Sequence, residues 1–143
     1  MDKPLTDQVA LITGAGQGVG QGIAYGLAKR GVRIIAVGRT LEKCEGTIAT
    51  IKERFGTDGA AIRCDIGVIA DLDDLVTSAA NQFGRLDILV NNAVSAQITP
   101  LLDASIEEFE LGLRVGPVAS LKLMQLVQPH LVTAGGGNII NLA

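Results

Sequence analysis

Val9-Ala10-Leu11-Ile12-Thr13-Gly14-Ala15-Gly16-Gln17-Gly18-Val19-Gly20 is the stretch that decides the fold of this 143-residue chain. Val9 to Thr13 shows no polar/apolar alternation, which predicts a short strand buried on both faces. Ile23, Ala24, Leu27 and Ala28 then recur at helical spacing until Gly31 closes the segment. Between strand and helix lies a turn with glycine at positions 14, 16, 18 and 20. Such a turn lets backbone N–H groups approach a pyrophosphate, while the helix N-terminus behind it supplies positive potential. The strict G-x-G-x-x-G pattern is not met, because Val19 stands where its third glycine would fall; T-G-x-x-x-G-x-G fits instead.

Outward from this unit, the same alternation of apolar run and helix-period segment recurs. Ile34 to Val37 predicts a second strand, followed by a helix opened by Thr40, carrying Leu41, Ile48 and Ile51, and stopped near Gly56. Ala60 to Cys64 predicts a third strand, and Leu72, Leu75, Val76, Ala79 and Phe83 mark a helix ended by Gly84. Leu86 to Val90 predicts a fourth strand. A capping box, Ser105 with Glu108, then opens a helix that Gly112, Gly116 and Pro117 are expected to kink and that Pro129-His130 is expected to end. After Gly135-Gly136-Gly137, Asn138 to Leu142 predicts a fifth strand. Unalternating strands, each followed by a helix, predict an α/β, doubly wound parallel sheet of Rossmann type. Such a sheet has about six strands, so five suggest a domain, residues 1–143, incomplete at its C-terminus.

Composition narrows the partners. Hydrophobic residues are 48% of the chain, charged residues 19% and mean hydropathy +0.37, which predict one folded domain. A net charge of −3 without a basic block, and aromatics at 3%, leave no footprint for nucleic acid. No apolar run reaches the roughly 18–20 residues that span a bilayer, and Met1-Asp2-Lys3-Pro4 has no apolar signal core, so the expected location is cytoplasmic, without membrane partners. Cys44 and Cys64 form no CxxC pattern, which argues against a zinc site; no metal is expected.

Four features stand in order along the chain: Thr13-Gly14-x-x-x-Gly18-x-Gly20, Asp65 after the third strand, Asn91-Asn92-Ala93 after the fourth, and Asn138-Ile-Ile-Asn-Leu142 on the fifth. Together they resemble the short-chain dehydrogenase/reductase family. The resemblance implies an oxidoreductase that binds a nicotinamide dinucleotide and transfers hydride to or from the carbon of a small alcohol or carbonyl substrate. It implies that Gly14, Gln17, Gly18, Val19 and Gly20 meet the cofactor's phosphates and ribose, and that Asp65 with the Ile66 backbone holds the adenine edge. Asn92 and Ala93 would flank the nicotinamide-side ribose, with Asn91 joining the central strands. Self-association into a dimer or tetramer is expected as well.

Cofactor choice is read at the end of the second strand. NAD(H) calls for a carboxylate there, to accept from the ribose hydroxyls; a 2′-phosphate calls for its absence and a guanidinium nearby. Gly38-Arg39 favours NADP(H), with NAD(H) the alternative, while Gln17 puts no second cation in the glycine turn. The catalytic serine, tyrosine and lysine that the family uses have no counterpart, so no catalytic residue is assigned and residues 1–143 alone are expected to be inactive. Tyr25 sits on the first helix and His130 at a helix end, neither placed for proton transfer. Relative to the family's pattern, Gly116 falls where a relay asparagine is usual and Val94 where a glycine is usual. These departures keep open a catalytically inactive dinucleotide-binding module, or an interaction protein, as the alternative.

Overall fold

Each unbroken apolar run is a strand of one parallel sheet. The computed structural model describes residues 4–95 and 98–143. Strands β1 (Val9–Thr13), β2 (Arg33–Gly38), β3 (Gly59–Arg63), β4 (Ile88–Asn91) and β5 (Asn138–Asn141) lie in the order β3-β2-β1-β4-β5, all parallel. Helices α1 (Gly18–Lys29) and α2 (Leu41–Phe55) cover one face and α3 (Leu72–Phe83) and α5 (Ala119–Thr133) the other, while α4 (Ile106–Leu113) buries no residue of its own.

The period-two geometry of a strand divides the core. Ala10, Ile12, Ile34, Ala36 and Val90 pack on one face with Ala24 and Ala28 of α1 and Ile51 of α2. Val9, Leu11, Ile35, Val37 and Leu89 pack on the other with Leu75 and Ala79 of α3 and Leu123 and Val127 of α5. Both faces of β1 and β2 are therefore dry, which is why their sequences do not alternate. Burying each Leu or Ile here contributes about 1.5–3 kcal/mol. At the opposite edge of the strands, the buried Asp87 carboxylate accepts from Val9 N at 2.9 Å and from both arms of Arg85, fixing where β4 starts beside β1.

The doubly wound parallel architecture is the one expected, with small differences at element ends. β3 begins at Gly59 and β4 at Ile88, because the ladder starts where Gly59 meets Ile34 and Ile88 meets Ala10; Leu86 is buried ahead of the strand. β5 ends at Asn141. Helices α2 and α3 stop at Gly56 and Gly84, both left-handed, and α4 opens with the reciprocal Ser105–Glu108 capping box.

The region from Ser105 to His130 differs more. Helical backbone is continuous between its halves, because a π-helical turn, Arg114–Val118, joins α4 to α5. Pro117 has no N–H to give, and the wider turn absorbs it without breaking the path. Nor does Pro129 end the helix, which runs on to Thr133. Pro129 and Gln125 are both exposed, so the carbonyl that proline leaves without a helical donor faces water.

Candidate functional site

The strand order reverses between β1 and β4, so the connections leaving these two strands diverge and open a crevice at their C-terminal ends. An open cleft of about 380 Å³ lies there. Beneath it one hydroxyl joins the two strand ends: Thr13 Oγ1, at the buried end of β1, accepts from the backbone N–H groups of Asn92 and Ala93 at 3.0 Å each and lies 3.4 Å from Val90 O. The loop after β4 is thereby hung on the end of β1. Asn92 Nδ2 adds bonds to Thr13 O at 3.0 Å and Gly14 O at 3.3 Å, so its amide clamps the glycine turn and leaves Oδ1 for other partners.

The turn is also held from behind. Thr47 Oγ1 of α2 donates toward Ala15 O at 3.0 Å and accepts from Gln21 Nε2 of α1 at 3.0 Å. At Gly20 a Cβ would collide with the Gly14 carbonyl and Asn92 Nδ2, so glycine here lets α1 close onto the turn. Gly18, at φ +58, has open space where a Cβ would go, and it lines the cleft together with Gly14, Gln17 and the exposed Val19. The first-turn N–H groups of α1 cannot bond within the helix, and no side chain caps them.

The remaining expected residues arrive from three elements. Arg39 follows β2, exposed on the cleft wall; Asp65 and Ile66 follow β3; Asn92 and Ala93 follow β4. Asp65 Oδ1 accepts from Gly67 N at 2.9 Å, which turns the chain and leaves Oδ2 facing out. Nine of the ten residues expected at the site thus line one cleft, whereas Gly20 does not: it is buried beneath the turn, where it sets packing. Asn91 lies outside the cleft and donates to Asn141 Oδ1 at 2.8 Å, joining β4 to β5. Tyr25 packs against Phe55, with ring centroids 6.5 Å apart, away from the cleft.

Some lining residues were not anticipated. Lys43 of α2 reaches the Arg39 end of the cleft and donates from Nζ to Gln17 Oε1 at 2.6 Å. Its signal was the four-residue spacing from Arg39 across the helix start at Thr40. Val94 lines the cleft just after Ala93, and Val115, from the π-helical turn, lines it beside Gly67 and Asp65. Gly116 beside Val115 has no side chain, and a Cβ there would meet nothing within 4 Å. Cys64 also lines the cleft; burial, with the charges of Asp71 and Asp65 behind it, pushes its thiol above the usual range. Among the described residues, no group of three or more His, Cys, Asp or Glu side chains could hold a metal ion, and no helix is long and apolar enough to cross a membrane.

The geometry fits what a dinucleotide needs of its protein: open space in front of a bare helix N-terminus, free backbone donors, and a cationic far end. Comparison with known proteins agrees in fold and sequence. The chain is 35% identical over 145 residues to D-threitol dehydrogenase of Mycolicibacterium smegmatis, covering 99% of this chain and 54% of that protein. It superposes at a TM-score of 0.90, with 32% identity, on L-sorbose reductase from Gluconobacter frateurii complexed with NADPH and L-sorbose, covering 99% of this chain and 54% of the other. An NAD+-bound xylitol dehydrogenase gives a TM-score of 0.89 at 27% identity, covering 97% and 54%. The chain therefore spans about half the length of the curated relatives it matches. A family model for short chain dehydrogenase matches residues 8–143, from one residue ahead of the first strand through the fifth, and by that match the chain belongs to the short-chain dehydrogenase family.

Proposed function

We propose that this chain is the cofactor-binding part of an oxidoreductase that takes NADP(H) in preference to NAD(H) and serves an alcohol–carbonyl pair. The carrying observation is the cleft itself: a bare α1 N-terminus and Gly18 face open space at the switch point, and Arg39 stands where an NAD site would place a carboxylate. Gly14, Gln17, Gly18 and Val19 would hold the pyrophosphate and adjacent ribose, and Arg39 the 2′-phosphate. Asp65 Oδ2 and the Ile66 backbone would hold the adenine edge. Asn92 Oδ1 and Ala93 would meet the nicotinamide-side ribose with Val94 beside them, and Val115, next to Gly67, would pack at the adenine end. When bound, the nicotinamide supplies the hydride.

Relatives carry both cofactors in their crystal structures, NADPH in one and NAD+ in another, so the end of β2 has to decide between them. A bidentate guanidinium–phosphate contact is worth about 1.5–3 kcal/mol, tens-fold in affinity. Titration of NADPH and NADH by nicotinamide fluorescence should show NADPH bound more tightly by wild type and the preference lost in Arg39→Ala. Equal NADPH affinities in the two proteins would refute the assignment. Since three relatives are named for D-threitol, L-sorbose and xylitol, sugar alcohols and their ketoses head the substrate panel for a complete enzyme. The proposed partner is a second copy of the chain: α4 and α5 expose Phe109, Leu111 and Leu121, an apolar surface that light scattering on the complete protein should find covered in a dimer or tetramer. The proposed compartment is the cytoplasm, where both free thiols stay reduced.

A further inference from the structure

We propose that Lys43, tethered by Gln17, is the second cation of the 2′-phosphate pocket and sets cofactor preference together with Arg39. This deepens the NADP(H) reading above and rests on it. Arg39 and Lys43 flank the start of α2, one before Thr40 and one in its first turn, and both line the same end of the cleft. Three cations among the described residues pair with carboxylates, Lys52 with Asp58, Arg85 with Asp87 and Lys122 with Asp73. Among the described residues neither Arg39 nor Lys43 forms an ion pair, although acidic residues outnumber basic ones fifteen to twelve in the chain. Glu42 and Glu45 lie one and two residues from Lys43 on the helix, spacings that do not face each other. Asp65 is the carboxylate on the cleft, and one of its oxygens is already taken by Gly67 N.

The partner Lys43 does have is neutral. Its ammonium gives one of three donors to Gln17 Oε1 at 2.6 Å, which orients the group over the glycine turn without cancelling its charge. The approach of α2 behind this contact is close enough that a Cβ on Gly16 would lie 2.8 Å from Lys43 Cβ, so the helix holds the lysine stem against the turn. A phosphate monoester carries about −1.5 to −2 at neutral pH, which Arg39 and Lys43 together match. The second charge absent from the glycine turn is thus supplied by the next helix, and Gln17 is its tether.

The test measures Kd for NADPH and for NADH with wild type, Lys43→Gln, Lys43→Arg, Gln17→Leu and Arg39→Ala, each checked for unchanged circular dichroism. Lys43→Gln should weaken NADPH about tenfold, the loss of one charged hydrogen bond, and leave NADH unchanged. Lys43→Arg should restore most of the preference, and Gln17→Leu should lower the NADPH-to-NADH preference by a smaller factor through loss of the tether. The salt dependence of NADPH binding should flatten in Lys43→Gln. If Lys43→Gln keeps the wild-type NADPH-to-NADH ratio while Arg39→Ala abolishes it, Lys43 has no part in the pocket and the NADP(H) reading stands without it. If wild type itself shows no preference for NADPH, the reading beneath falls, and this proposal with it.

Discussion

Replacing Gly20 by alanine should damage this protein although alanine is the better helix former. The added Cβ would collide with the Gly14 carbonyl oxygen and Asn92 Nδ2 and would sit 2.9 Å from Gly14 C. Carbon atoms pack at about 3.5–4.0 Å, so α1 must retreat from the turn by at least about 0.6 Å. Overpacking of this kind costs about 1–3 kcal/mol. Retreat also loosens the two Asn92 bonds to Thr13 O and Gly14 O, each worth about 1 kcal/mol. Helix propensity returns at most about 1 kcal/mol. The net expectation is a loss of about 2 kcal/mol, or a Tm lower by about 6–8 °C for a chain of this size. Gly22→Ala and Gly26→Ala serve as controls: both lie inside α1 with nothing within 4 Å of the new carbon, and each should stabilise by about 0.5–1 kcal/mol. Urea titration followed by circular dichroism reads all three. A Gly20→Ala protein as stable as wild type would refute the claim that this glycine is needed for close approach.

Other outcomes follow from the same contacts. Thr13→Val removes the oxygen that receives Asn92 N and Ala93 N and should lower stability by about 2–4 kcal/mol and weaken cofactor binding, whereas Thr13→Ser should preserve both; calorimetry with and without NADPH separates the two effects. Burial raises the Cys64 thiol, and burial with Glu45 nearby raises that of Cys44. In the folded state these groups hold protons that the unfolded chain has lost, so their contribution is complete below the unfolded thiol value and falls as pH rises through the folded one. Stability should therefore decline on the alkaline side of the ordinary thiol range, and less steeply in Cys44→Ala/Cys64→Ala. Bound NADPH should slow alkylation of Cys64, which lines the cleft; an unprotected Cys64 would place the adenine elsewhere. Residues 1–143 should bind cofactor yet not turn over, because no tyrosine or histidine lines the cleft and general acid–base groups contribute about 10²–10⁴-fold each. Absorbance of reduced nicotinamide in a polyol–ketose panel checks this, and turnover by the purified chain would overturn it.

Local signals carried the fold. Unalternating runs such as Ile34 to Val37 specify strands buried on both faces, and Ser105 with Glu108 specifies a helix start, because these depend on hydrogen bonds and periodicity within a few residues. The glycine turn was legible as an anion cradle for the same reason. What the sequence left open depends on residues far apart in the chain. Asn92 meets Thr13 across 79 positions, and nothing near Asn92 announces that its Nδ2 is spent on clamping Thr13 O and Gly14 O while Oδ1 stays free for a ligand. Gly18 and Gly20 look alike in the motif; only the packing of α1 on the turn makes one face the cleft and buries the other. Pro129 reads as a stop, yet Leu123, Val127 and Leu131 pack with α3 and Leu89 on one face of the sheet and carry the helix past it. Lys43 enters the cleft because α2 crosses behind Gly16 at close range. Sequence by itself determined which segments are strands and helices and where an anion could sit. Tertiary packing decided which side chains reach that place, since only the strand order brings the ends of β1, β2, β3 and β4 to one crevice.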